Sequence, residues 1–269
     1  QSFLYATGGL FLGTIITVTN QKGGVGKTTT AAALLCSLYE RGQRVLGVDL
    51  DPQGSLSFSL GLDTENCATV YDLFKGKVSV EETIASSRGI DILPANILLS
   101  AAELEFNRAG REFMLRNELN RVADRYDYII IDTPPALNVL TVNAYVASHA
   151  LVIPMVPEIL SLLGVAQIKE TIDTVQACYN PNLRVLGILL NKYNSRLTLN
   201  RDVSEMADQI ARQLNTHVFR AVIRSGVSVA EAPAHGESVL SYAPNSKPAT
   251  DFQSLTTEIT SLLCSQQNP

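Results

Sequence analysis

The chain has 269 residues, 46% hydrophobic and 17% charged, with a formal net charge of −5; this suits one large α/β domain or two small ones. Its four cysteines, Cys36, Cys67, Cys178 and Cys264, form no Cys-x-x-Cys pair and have no His at ligand spacing. That pattern argues against a zinc site, an iron–sulfur cluster or a secreted disulfide framework, and fits free thiols in a reducing cytoplasm.

No Ser/Gly/Pro-rich stretch or charge run divides the sequence and no internal repeat is found, so one domain is the simpler expectation. Charge is unevenly spread. Residues 1–179 carry 13 Lys/Arg against 19 Asp/Glu, residues 180–250 carry 8 against 5, and residues 251–269 carry 0 against 2. The basic block suits a polyanion-binding surface, or solvated helix faces. Two long segments lack charge, 1–21 and 133–157, but glycines interrupt the first and Pro134, Pro135, Pro154 and Pro157 the second. Neither reads as a membrane-spanning helix; both are expected to be core strands with flanking turns. Residues 1–13 have no basic n-region and are expected to be an N-terminal extension or expression remnant, leaving the functional domain at 14–269.

Along the chain, apolar β-branched runs alternate with amphipathic stretches, the pattern of βαβ units around a mostly parallel, twisted sheet. Strands are expected at 14–20, 44–50, 89–95, 126–132, 150–156, 183–191 and 217–223, and helices at 28–41, 98–106, 110–125, 160–178, 199–214 and 248–264. Consecutive apolar positions in several strands imply helices on both faces.

Between the first strand and first helix lies NQKGGVGKTTT, residues 20–30. A Gly-rich turn opening a helix points backbone N–H groups and a positive dipole end at an anion. In a phosphate loop, Gly23, Gly24, Val25 and Gly26 would cradle the phosphates of ATP and Lys27 would bridge the β- and γ-phosphates. The Thr28 hydroxyl would ligate Mg²⁺ and Thr29 would reach the α-phosphate. Gln21 stands where the common pattern has its leading glycine. On the residues alone, the additional Lys22 is a solvated lysine at the loop entrance.

The second strand runs into VDLDPQG. Asp49 and Asp51, two apart, share a side until the chain turns at Pro52. One carboxylate beside the γ-phosphate would orient the attacking water, the expected task of Asp51. The deeper Asp49 would hold the metal's hydration shell. YDYIIIDTPP then ends a buried strand on Asp132, the position from which an acidic residue holds Mg²⁺ in P-loop enzymes, and the stiff Thr133–Pro135 loop would sense the γ-phosphate.

KGGVGKTT, VDLDPQG and IIIDTPP together resemble the ParA/Soj family of DNA-partition ATPases, in the deviant-Walker-A group of P-loop NTPases that also holds MinD and the nitrogenase iron protein. The likeness runs from about Thr14 to the last helix. It implies a single P-loop NTPase domain and slow Mg-dependent ATP hydrolysis. It also implies an ATP-bound homodimer that coats DNA non-specifically and a ParB-like centromere-binding partner that stimulates release. The expected location is cytoplasmic, on the nucleoid in the ATP state. Lys22 would reach across the dimer to the other subunit's phosphates, Asn191 would contact adenine, and Arg196 would contact DNA. Where the family has Ile-Pro-Arg this chain has Ile223-Arg224-Ser225, and a basic residue is missing at Ser228; Arg220 and Arg224 are the cations left to substitute. A MinD-like positioning ATPase would need a basic C-terminal amphipathic helix, which DFQSLTTEITSLLCSQQNP does not supply, so stable membrane association is not expected. An iron-protein relative would need cysteines beside the second acidic strand. A nucleotide-switched scaffold with little turnover is a further alternative, because Asp51 fixes competence and not rate.

Overall fold

The computed structural model describes residues 13–106, 109–156, 161–193 and 200–265. Among the described residues the strands are β1 (Thr14–Val18), β2 (Val45–Asp49), β3 (Ala85–Ser87), β4 (Ile90–Leu93), β5 (Tyr128–Asp132), β6 (Ala150–Met155) and β7 (Arg184–Leu190). They form one sheet in the order β3-β4-β2-β5-β1-β6-β7, parallel except for the edge strand β3. The α-helices are α1 (Lys27–Glu40), α2 (Ser55–Ser59), α3 (Val70–Phe74), α4 (Val80–Thr83), α5 (Ala102–Glu105) and α6 (Met114–Leu119). They continue with α7 (Val139–Ala147), α8 (Ser161–Cys178), α9 (Asn200–Gln213), α10 (Val227–Glu231), α11 (Val239–Tyr242) and α12 (Lys247–Ser265).

Strand alternation divides the core in two. On β5, Ile129 and Ile131 join the cluster that holds Leu140, Tyr145 and Ile168, whereas Ile130 faces the cluster of Leu35, Phe252 and Ile259. Helices thus cover both faces, and each fully buried Ile or Leu contributes about 1.5–3 kcal/mol over its exposed state. The central β1 lies between β5 and β6. The chain builds β2, β3 and β4 on one side of β1, then returns through β5 and crosses β1 to form β6 and β7 on the other; the crevice beyond the carboxyl ends of the strands at such a switch point is where open α/β sheets bind ligands.

Three departures from the expected elements have identifiable causes. Segment 133–157 holds β6 but also α7, whose β-branched, apolar sequence mimics a strand. Asn138 starts this helix by accepting the N–H groups of Leu140 and Thr141. The helix expected at 110–125 is broken into α6 between two 3₁₀ turns. There Asn143 of α7 accepts the Leu115 N–H (3.0 Å) and donates to the Arg111 carbonyl (2.8 Å), taking both ends of one i→i−4 bond. The strand expected at 217–223 is reduced to isolated bridges at Val218 and Arg224. Between them, the N–H groups of Arg220 and Ala221 bond the Glu258 carboxylate of α12 (2.9 and 3.0 Å), which interrupts the ladder with β7 until the Ile223 N–H reaches the Leu190 carbonyl (2.9 Å). The short β3 is polar and carries no alternation that reveals it.

Candidate nucleotide site

The loop between β1 and α1 is held from below by Asn20. This buried amide donates to the Pro154 carbonyl (2.7 Å) and accepts the Lys22 N–H (3.0 Å). Gly24 (φ 73°) and Gly26 (φ 90°) lie in the left-handed region, where a side chain is strained. Gly26 caps α1, and the 14-residue helix directs its N-terminus into a cleft of about 580 Å³. One wall of the cleft holds Gly23, Gly24, Gly26, Lys27, Thr28, Thr29, Asp51, Ser55 and Pro135. The other holds Asn191, Lys192, Arg224, Ser225, Gly226, Val229 and Ala230.

On the first wall the charges are arranged for an anion and a divalent cation. Lys27, only 6% exposed, donates to the Lys22 carbonyl (3.2 Å). Burial lowers its pKa, while the charges of Asp132 and Asp51 oppose that shift. Asp132 ends β5 fully buried. Its Oδ2 accepts the Thr28 hydroxyl (2.7 Å) and its Oδ1 has no hydrogen-bond partner. Burial pushes the Asp132 carboxyl well above the usual range; neighbouring Asp49 adds to the rise, and Thr28 and Lys27 act against it. A hydroxyl beside an orphaned carboxylate oxygen suits Mg²⁺, which takes one or two protein oxygens and completes its shell with phosphates and water. Among the described residues no cluster of three or more His, Cys, Asp or Glu side chains could hold a metal by itself, so a cation here depends on its ligand's oxygens.

Asp49 and Asp132 face each other across the β2–β5 register. The Asp49 carboxylate is also anchored locally, accepting the Ser57 N–H and hydroxyl (both 2.9 Å) and the Asp51 N–H (3.1 Å). Burial raises it to about 6 despite these bonds. Asp51, half-buried, accepts the Gln53 N–H (3.0 Å) in the turn that leads to α2. The turn therefore gives the two carboxylates different depths.

On the second wall, Asn191, expected to meet adenine, lines the cleft and ties its amide to the loop: Nδ2 donates to the Val25 carbonyl (2.8 Å) and Oδ1 accepts the Lys192 N–H (2.8 Å). Arg224, expected on a DNA surface, forms a bidentate pair with Asp251 (2.9 and 2.6 Å) in the cleft wall. Arg220 is exposed and lines an adjoining groove with Tyr193 and Arg224. Arg196 lies outside the described residues. Lys192, Ser225, Gly226, Val229 and Ala230 carry no motif that marks them; only the altered Ile223-Arg224-Ser225 segment hints at their neighbourhood.

Residues 13–185 match the AAA_31 family, an AAA domain. The sporulation initiation inhibitor protein Soj of Bacillus subtilis (strain 168) is 39% identical over 254 residues, covering 92% of this chain and 98% of Soj. The chain belongs to the ParA/Soj family of P-loop ATPases. Another relative, the chromosome partitioning protein ParA of Caulobacter vibrioides (strain NA1000 / CB15N), is 39% identical over 238 residues, 85% of this chain and 86% of that protein. Cobyrinic acid a,c-diamide synthase from Mycobacterium smegmatis, solved with bound ADP and magnesium, is 36% identical with a TM-score of 0.81, covering 95% of this chain and 96% of that one. The ParA/Soj fold is therefore present with its phosphate loop and both acidic strand ends. Among the described residues no helix is long and apolar enough to cross a membrane.

Proposed function

We propose that this chain is a DNA-partition ATPase, and that Mg·ATP in the cleft closes a homodimer which binds DNA non-specifically until hydrolysis releases it. The observation that carries the reading is the buried Asp132 Oδ1, unpartnered beside the Thr28 hydroxyl in a chain whose phosphate loop supplies Lys27. Mg²⁺, when bound, neutralises phosphate charge and polarises the γ-phosphoryl group.

The chain's own residues do the remainder. Backbone N–H groups of Gly23–Thr28 at the α1 N-terminus receive the phosphates, and Lys27 adds a cation withdrawn from water, where its field is stronger. Asp51 on the cleft wall holds and orients the attacking water. Lys22, at the loop entrance, supplies a second cation to the partner copy's phosphates. Arg196 and Arg220 contact DNA phosphates, and the ATP state resides on the nucleoid in the cytoplasm. A ParB-like protein stimulates turnover.

A membrane-positioning role of the MinD kind finds less support. The apolar face of α12 is already used, with Phe252, Leu255, Ile259 and Leu263 buried against the α1 side of the core. Size-exclusion light scattering with ATP, ADP or no nucleotide, with and without duplex DNA, tests the proposal. A dimer and DNA retention confined to ATP are expected; a monomer under every condition overturns it.

A further inference from the structure

The structure assigns to Asn191 a positioning role: it holds the Val25 carbonyl away from the phosphates so that the Gly26 N–H faces them. This rests on the nucleotide-binding reading above and deepens it, because it gives the residue a task on the loop.

A trans peptide unit is planar, with its C=O and N–H pointing in opposite directions. Whatever captures the Val25 oxygen therefore also aims the Gly26 N–H. Asn191 Nδ2 makes that capture at 2.8 Å from a residue only 5% exposed. A peptide turned the other way would present a carbonyl oxygen to the phosphates and replace attraction with repulsion.

The donor end of the amide is not interchangeable with the acceptor end. Oδ1 accepts the Lys192 N–H at 2.8 Å, and Lys192 itself sits at φ 53°, in a conformation non-glycine residues rarely adopt. The Asn191 backbone is fixed in turn by its N–H bond to the Met155 carbonyl at 2.7 Å. The amide also lies close against the loop: a Cβ at Gly26 would collide with Asn191 Nδ2. Glycine at position 26 thus answers two demands, its left-handed backbone and the closeness of this amide. Asn20 makes the matching tie at the loop's start through the Lys22 N–H, so the loop is clamped at both ends by asparagines.

The test measures Mg-tripolyphosphate, MgATP and MgGTP binding by displacement of a fluorescent ATP analogue, in wild type, N191A and N191D. N191D keeps the volume and the Lys192 bond but loses the donor, and it serves if N191A does not fold. The expected result is a similar loss for every ligand that binds, about tenfold, as for a buried hydrogen bond removed, with the ATP-to-GTP affinity ratio within about twofold of wild type. Selective loss of ATP, or wild-type affinity in N191D, overturns the positioning role. Wild type that binds none of the three ligands overturns the nucleotide reading itself.

Discussion

The two walls of the cleft are built by different means. The phosphate wall comes from three short, contiguous segments, each a strand end followed by a turn: 19–29 after β1, 49–55 after β2 and 132–135 after β5. The opposite wall is assembled from 191–193, 223–226 and α10, joined by the backbone bonds of Tyr193 N–H to Ile223 O (2.8 Å) and Ser225 N–H to Tyr193 O (3.4 Å). Charge chemistry needs particular residues at particular spacings, so the first wall writes itself into the sequence. A wall that supplies shape and backbone groups accepts many sequences.

If this division is right, substitutions on the phosphate wall remove chemistry while those opposite change affinity or selectivity. Lys27→Ala should weaken ATP binding on the order of a hundredfold or more, measured by calorimetry, whereas Lys22→Ala should leave monomer binding intact and abolish ATP-dependent dimerisation. Equal losses in both would break the assignment of the two lysines to different subunits. Asp51→Ala should slow turnover about a hundredfold with ATP still bound; normal single-turnover rates would remove Asp51 from the water-orienting role.

Asp132→Asn separates folding from function on the same wall. Without ligand it relieves the burial of a carboxylate that Thr28 and Lys27 only partly offset and should stabilise the protein by about 1–3 kcal/mol in thermal melts, while the extra stability that Mg·ATP gives wild type should disappear. Opposite, Asp251→Asn weakens the hold on the Arg224 guanidinium. The salt dependence of DNA retention should then steepen by about one phosphate contact, with ATP affinity little changed. A large loss of ATP affinity would mean that the ion pair shapes the nucleotide site.

The smallest effect lies outside both walls. His149 is exposed as a residue, yet its Nδ1 accepts the Ile15 N–H (2.9 Å), which only the neutral ring can do. Burial of that edge, helped by Arg184, holds its pKa below 6.5. The unfolded chain then binds more protons than the folded one, so stability falls as pH drops through 6.5 toward the folded value and is complete above 6.5. His149→Gln should flatten melting temperature across that window.

Legibility followed the same division. βαβ alternation reads directly as the parallel sheet with two-sided burial; Asp51 lines the cleft with the phosphate loop, and Asp132 lies buried behind it, joined to it by the Thr28 hydroxyl. α7 was missed because VLTVNAYVA has strand-like residues and is made helical by Asn138 and by burial on both sides. The break before α6 depends on Asn143, 28 residues downstream of Leu115, and no local pattern encodes it. The Glu258 carboxylate dissolves an expected strand from 38 residues away. Asn191 was singled out, but its partner Val25 lies 166 residues earlier, so its task could be seen only in three dimensions.

The end of β6 gives these walls a shared foundation. Successive carbonyls, Pro154 and Met155, receive the Asn20 side chain and the Asn191 backbone, and no β6 residue lines the cleft. The spacing of the two walls is therefore gauged by a strand that never meets the ligand, and a packing change behind β6 would shift both walls together and preserve the width between them.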